Sequence, residues 1–467
     1  MKNLDEKICI IGGGPAGISA AMYLQFKGYR NYTIYERQNR VGGKCWSPKM
    51  MVNGEERTFE TGAIMGAITY HAVHEVEKFA ETGHFDGPNM RRMYRDAHGK
   101  EIYPFDPLRE PSIKKTKDLL ELKKQMKKLV HLMETKYRGY DCYGHRGVAK
   151  GRYDGLSKGL NDSLLEIKGR NPHLKDLALP FTEFCKKNGV EDVMKIWIAP
   201  YTSFGYGFFD EIPAAYVMKY LDTTTAIEFV NLRLWTWKEG TQSIYEKANE
   251  KLIHPATLGT EVVRIERPDD GPVRVTVRDA GGEHTEEFDR LIVTTPLDHF
   301  ANYADATEEE ADLFSRIIHE KYVNFIASFD QDKGPTISGY IFDNMDYHRL
   351  GHAMVYYHRW EDLKGNCPCA VYALRNHAGS KDADYDYTIN AMLDDMRVCG
   401  YPVKERHFEQ ESYYCPHISP KDYAAGWYDR LDALQGTKRT YYAGEILSFG
   451  DMEDTVASSR DIIGRFF

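Results

Sequence analysis

Near the N-terminus, Gly12-x-Gly14-x-x-Gly17 leaves few folds open. It sits between a short apolar run, Ile8-Cys9-Ile10-Ile11, and a helical stripe of Ile18, Ala21, Met22 and Leu24. Glycines at this spacing let the backbone approach a pyrophosphate lying on a helix N-terminus. The next strand, Tyr32-Thr33-Ile34-Tyr35, ends at Glu36, whose carboxylate can accept both hydroxyls of a ribose. With strand, helix and acid in register, the chain reads as an α/β dinucleotide-binding protein. Gly12, Gly14, Gly17 and Glu36 are at the nucleotide, and Arg37 stands beside them. The competing reading is a tight βα turn that binds nothing.

The rest of the chain must be built around that unit. At 467 residues it has length for roughly three structural units. Its 61 Lys+Arg against 70 Asp+Glu give a net charge of -9, so there is no overall basic field to hold nucleic acid. No apolar run approaches the length that spans a bilayer, and Met1 to Lys7 lacks a signal peptide's apolar core, so a cytoplasmic location is expected. The eight cysteines form no Cys-x-x-Cys pair and read as free thiols; neither a disulfide frame nor a metal site is expected. The 32 tyrosines are in excess of what packing requires and suit a long apolar pocket.

Periodicity divides the remainder. A long amphipathic helix is predicted from Pro107 to Tyr137, with Leu119, Leu122, Met126, Leu129, Val130 and Met133 on one face and lysines opposite. Residues 143–175 read as a surface loop, and Leu177 to Tyr220 as mostly helical with a break near Pro180. Strands are expected at 261–265, 273–277 and 291–295, with alternating strands and helices over 322–425. A last strand at 440–445 precedes a helix running to Phe467.

The cofactor type is indicated just downstream of Glu36. Arg40-Val41-Gly42-Gly43-Lys44 places paired glycines where the chain can pass close beneath a cofactor, with a cation to meet its phosphates. This segment, Thr61-Gly62-Ala63-Ile64-Met65-Gly66 and Tyr442-Ala443-Gly444-Glu445 together resemble the signatures of flavin amine-oxidase-type proteins. The resemblance implies non-covalent FAD, held by Gly42, Gly43, Lys44, Ala63, Ile64, Met65 and Gly444 in addition to the residues above. It places Glu36 at the adenosine ribose, the Val262 backbone at adenine and Glu445 near the ribityl and pyrophosphate. It also directs the positive end of the helix starting at Met452 toward the flavin O2 and N1.

Beyond these motifs, Lys44-Cys45, Phe204-Gly205-Tyr206-Gly207, Leu234-Trp235-Thr236-Trp237, Tyr356-Tyr357-His358-Arg359-Trp360 and Gly444 to Gly450 resemble the polyunsaturated fatty acid double-bond isomerases. The implied activity moves a double bond of a free, linoleate-like acid to give a conjugated product, by hydride transfer to flavin N5 and back. That chemistry asks for electron-rich rings around a transient carbocation and for no protein acid or base. Phe204, Tyr206, Phe208, Phe209, Trp235 and Trp237 are the candidate rings, with Phe204, Tyr206 and Trp235 placed at the substrate. The resemblance gives Arg92 as carboxylate anchor, with Arg91 as its rival, and Phe229 as gating partner.

The implied fold class is α/β: a Rossmann-like FAD domain of flavin amine-oxidase type, with a helical cap and a mixed α+β substrate domain. The FAD domain would comprise residues 1–84, 228–300 and 426–467, the cap 85–227 and the substrate domain 301–425. The lysine-rich helix from Lys114 to Lys136 also suits an anionic membrane surface, although a solvated face is preferred. An amine oxidase or desaturase-type oxidoreductase is the alternative. Amine oxidases carry an aromatic residue before the last helix, where this chain has Asp451. Gly155-Leu156-Ser157-Lys158-Gly159 fits a hydrolase elbow in letters alone, because the residues before its serine are polar.

Overall fold

The computed structural model describes residues 3–86, 92–104, 112–137, 171–221, 234–330, 332–448 and 450–467, and the backbone of two paired strands, Arg146–Val148 and Leu164–Glu166. Arg91, Phe229 and the Gly155 to Gly159 motif lie outside these residues.

A four-stranded parallel sheet stands at the centre, in the order Tyr32–Tyr35, Ile8–Ile11, Arg290–Val293, Thr440–Tyr442. Its strands come from three distant stretches of sequence, and they are short and apolar because both faces are covered. Ile8, Ile10, Ile34 and Ile292 pack with the helices Pro15–Phe26 and Met452–Phe466. Cys9, Ile11, Tyr35, Leu291 and Val293 face the opposite core, with Val273, Val275 and Phe288 of an antiparallel meander. That meander has three strands, Glu261–Glu266, Val273–Asp279 and Gly282–Phe288. The third was not expected: of its seven residues only Phe288 is buried, so no apolar alternation marks it.

A seven-stranded sheet forms the second body, in the order Val403–His417, Ile318–Phe329, Cys369–Leu374, Val355–His358, Ser338–Ile341, Arg92–Arg95, Glu101–Ile102. Alternation along Ile318–Phe329 sends Val323, Phe325 and Ala327 under the helix Tyr385–Val398, while Tyr322 and Ile326 face the other side. Arg92–Arg95 runs parallel to Ser338–Ile341, so residues 92–102, assigned by sequence to the helical cap, add two strands to this sheet. Within residues 143–175, expected as a loop, Arg146–Val148 and Leu164–Glu166 pair as antiparallel strands, and the other described elements after Ile102 in the cap are helices. Ile113–Glu134 begins at Ser112, whose hydroxyl accepts from Lys115 N, and buries Leu122, Leu129 and Met133. Leu129 and Met133 pack in one core with residues of Phe181–Asn188 and Met194–Tyr201. Pro180 is the N-cap of Phe181–Asn188. Among the described residues no helix is long and apolar enough to cross a membrane.

Candidate functional site

A cavity of about 780 Å³ joins the parallel sheet to the seven-stranded sheet, within the size range of small-molecule and cofactor sites. Its nucleotide-like end is formed by the first βα turn. A Cβ on Gly17 would lie 1.8 Å from Gly12 O, and one on Gly62 would lie 1.7 Å from Lys44 O, so both positions tolerate only glycine. Gly42 N donates to Gly13 O at 2.9 Å, which lays the Arg40-to-Lys44 segment against the turn; a Cβ on Gly43 would come within 3.1 Å of Gly14 Cα. These contacts leave Gly12, Gly14, Gly43 and Lys44 on the cavity wall, while Gly17 and Gly42 stand behind it.

The charged groups of this end are held in place. Glu36 accepts from Gly13 N at 2.7 Å and from Gln38 N at 2.8 Å, which fixes its carboxylate at the wall beside Arg37. Lys44 Nζ pairs with Glu445 Oε2 at 2.5 Å and lies 5.3 Å from the centre of the Tyr414 ring. Val262 lines the cavity at a break in the Glu261–Glu266 ladder, where the register shifts before Arg264. A bulge of this kind interrupts backbone pairing next to a site. Ala63, Ile64, Met65, Gly444 and Met452 also line the wall.

The other end is walled by tyrosines. Tyr206 packs on Tyr220 with ring centres 4.1 Å apart and on Tyr414 at 6.1 Å; Tyr414 in turn lies 5.5 Å from Tyr322, and Tyr322 5.2 Å from Tyr372. All five line the cavity, as does Phe204. The Tyr322 hydroxyl donates to Ser203 O at 2.7 Å and that of Tyr372 to Glu60 O at 3.1 Å. Burial pushes the phenols of Tyr206, Tyr322, Tyr372 and Tyr414 above their ordinary range, so they stay neutral and make poor bases. Sequence reasoning found Tyr206 and missed the other four, which come from a helix end and three strands of one sheet with no local motif to mark them.

The helix Met452–Phe466 does turn its first residues to the cavity, where Asp451, Met452 and Thr455 are on the wall. Acids surround that end. Asp451 caps it by accepting from Asp454 N at 3.1 Å, and Tyr70 hydrogen-bonds the Asp451 carboxylate. Asp454 pairs with buried Lys219 at 3.3 Å. Glu453 reaches away to accept from Ala72 N at 2.8 Å and Val73 N at 2.9 Å, and burial raises its pKa to about 8. Asp451 is thus the acid set directly against the dipole at the wall.

Several expected ring and anchor positions lie elsewhere. Trp235 does not line the cavity: its ring stacks on His84 at 3.9 Å, and its strand pairs with Phe85–Asp86. Trp237 is buried with its Nε1 donating to Glu77 Oε1 at 2.5 Å, and Phe208 and Phe209 sit in separate cores off the wall. Arg92 does not line the cavity; its charge acts on the buried phenol of Tyr340, whose ring is 6.4 Å from that of Phe204. Arg359 is structural: it is buried, pairs with buried Glu60 at 3.3 Å and donates to Trp237 O at 2.5 Å. Cys415 lies off the wall between two residues that line it, and burial raises its thiol pKa well above the usual range, which makes it a poor nucleophile.

Comparisons with known proteins agree with this geometry. The family described as flavin containing amine oxidoreductase matches residues 15–461. A solved structure described as a CLA-producing fatty acid isomerase from P. acnes is 40% identical, with a TM-score of 0.86 and all of both chains covered. Cyclohexylamine oxidase from Brevibacterium oxydans shares the fold at a TM-score of 0.66 and 15% identity, over 98% of each chain. A polyenoic fatty acid isomerase of Ptilota filicina is 47% identical over 45 residues, a stretch that spans 10% of this chain and 9% of that protein. By this coverage, and in keeping with a glycine cradle enforced by close backbone approach, the chain belongs to the flavin-containing amine oxidoreductase family.

Proposed function

We propose that this protein moves a double bond in a free polyunsaturated fatty acid of the linoleate kind, giving a conjugated product, with FAD bound non-covalently. The observation that carries the reading is one continuous cavity whose glycine-and-acid cradle opens onto a wall of five contacting tyrosines. It also rests on the likeness to the fatty acid isomerase of P. acnes over the full length of both chains.

The residues present suit the cofactor. Glu36 is fixed where a ribose would meet it, Val262 offers backbone at the break in its ladder, and Gly14 and Gly43 leave room for a pyrophosphate. Lys44 and Glu445 would meet its phosphates and ribityl chain, and Ala63, Ile64, Met65 and Met452 would contact the ring. Bound flavin supplies an acceptor, and then a donor, of a hydrogen with its electron pair. The chain's own residues do the rest. The tyrosine rings exclude water from the substrate and present electron-rich faces to a delocalised pentadienyl cation. Because burial keeps the phenols of Tyr206, Tyr322, Tyr372 and Tyr414 protonated, none of these four takes a proton from the substrate.

Arg92 is proposed as the carboxylate anchor although it is not on the cavity wall: its charge acts on Tyr340, whose ring is 6.4 Å from that of the wall residue Phe204, while the gating role proposed for Phe229 rests on the resemblance alone. An arginine fork holds a carboxylate by charge-assisted hydrogen bonds. We place the enzyme in the cytoplasm. The test is anaerobic incubation of the flavin-loaded protein with linoleate. Conjugated-diene ultraviolet absorbance is expected to rise without oxygen or nicotinamide. A requirement for oxygen, with release of peroxide, would overturn the reading in favour of an oxidase.

A further inference from the structure

The geometry points to a divalent transition-metal site, best suited to Zn²⁺, formed by His74, Glu77 and His84 outside the cavity. His74 and Glu77 share one face of the helix His71–Ala80 at i and i+3, and His84 follows that helix. Their three ligand atoms lie within 4.8 Å of one another. His74 Nδ1 is 2.8 Å from Glu77 Oε2, and His84 Nδ1 is 2.9 Å from Oε1 and 3.1 Å from Oε2. None of the three lines the cavity.

Two further observations set this cluster apart from a chance surface triad. Glu77 is buried, its side chain only 2% exposed, and its hydrogen-bond partners are the two imidazoles and Trp237 Nε1. The Trp237 N–H, 2.5 Å from Oε1, orients the carboxylate and leaves Oε2 directed between the histidines. The His84 ring is fixed by stacking on Trp235 at 3.9 Å and 14°. Outer contacts that lock a ligand's orientation are the usual support of a metal site. Two imidazoles and one carboxylate match the preferences of Zn²⁺. Ligand bonds of about 2.0–2.2 Å in a tetrahedron put neighbouring donor atoms about 3.3 Å apart, so the two Glu77–histidine contacts need to open by only a few tenths of an ångström, while the two imidazole nitrogens, within 4.8 Å of each other, settle around the ion. His74 is half exposed, which leaves a fourth position for water.

The ion would tie the helix His71–Ala80 to His84, whose ring stacks on Trp235 of the strand Trp235–Thr236. That helix also receives Glu453 at its N-terminus, from the helix whose first turn faces the cavity. The role is structural, and no step of the isomerisation passes through it.

The test uses the flavin-loaded protein, stripped with a chelator and titrated with Zn²⁺ by calorimetry and with Co²⁺ by visible absorbance. One equivalent is expected to bind with a Kd of about 1 µM or tighter, with Co²⁺ giving the d–d bands of a four-coordinate site. His74→Ala, a half-exposed position, and His84→Ala are each expected to weaken binding at least about tenfold. The inference is overturned by a wild-type Kd near 1 mM, or by equal affinity in wild type and both variants. Either result leaves Glu77 as a carboxylate satisfied by hydrogen bonds alone.

Discussion

Replacing Gly17 by alanine adds one methyl group at the most crowded point of the cofactor cradle. Its Cβ would lie 1.8 Å from Gly12 O, against the 3.4 Å at which ordinary contact begins. Neither partner is a flexible side-chain end: Gly12 closes the first strand and Gly17 lies in the first turn of Pro15–Phe26, a helix buried along most of its length. The helix must move away from the sheet by more than 1 Å, taking with it the amides that would face a pyrophosphate. Overpacking of this kind costs about 1–3 kcal/mol, and here it falls on the binding surface itself. Flavin retention should therefore weaken by roughly tenfold to a hundredfold. The assay is a fluorescence titration of the apoprotein with flavin, beside Gly83→Ala, where an added Cβ meets nothing within 4 Å. Wild-type flavin affinity in Gly17→Ala would refute the reasoning, because the close approach would then have no bearing on the cofactor.

Other consequences follow from the same geometry. Tyr206→Leu or Tyr414→Leu should lower kcat about tenfold with a smaller change in KM, since cation–π attraction of about 0.5–2 kcal/mol acts on the charged species and not on the resting acid; diene formation under steady state measures this. Arg92→Ala should raise KM for the free acid by roughly tenfold to a hundredfold, as loss of a charge-assisted hydrogen bond of about 1.5–3 kcal/mol requires, while a methyl ester should be processed alike by both proteins. Arg359→Met strands the buried Glu60 carboxylate and should cost about 3–5 kcal/mol of stability, with part of that recovered in the double variant with Glu60→Gln, by thermal unfolding. Glu453 has a folded pKa of about 8 against an ordinary 4.5. Its contribution is present in full below pH 4.5 and fades as pH rises toward 8. The Tm of Glu453→Gln should therefore gain on that of the wild type across this window and level off above it; parallel curves would contradict the shift.

What the sequence made legible was the part of the site governed by local backbone sterics. Gly12, Gly14 and Gly17 carry their reason in the turn itself, and Glu36 follows at a fixed distance along the βαβ unit. The tyrosine wall has no such local logic. Tyr220 ends a cap helix, while Tyr322, Tyr372 and Tyr414 lie on three neighbouring strands of one sheet, and only their register brings them to Tyr206. The abundance of tyrosine hinted at a lined pocket but could not say which residues line it. Trp235 was misplaced for a related reason: its two-residue strand and its stacking on His84 depend on partners far away in sequence. The four-residue strand Arg92–Arg95 escaped notice because its pairing partner, Ser338–Ile341, is also distant. The acids at the start of Met452–Phe466 were visible, but only the fold shows that Lys219 and the helix His71–Ala80 engage two of them and leave Asp451 at the cavity.

The central claim is that the migrating hydrogen leaves the substrate with its electron pair and returns to the same molecule without exchange with water. Linoleate deuterated at the methylene between its double bonds, converted in ordinary water and analysed by mass spectrometry, tests it directly. A conjugated product that keeps both deuterium atoms, one of them moved to a new carbon, is the expected result. A product one deuterium lighter, with hydrogen from solvent in its place, would mean that a protein base removes a proton, and the account would fail.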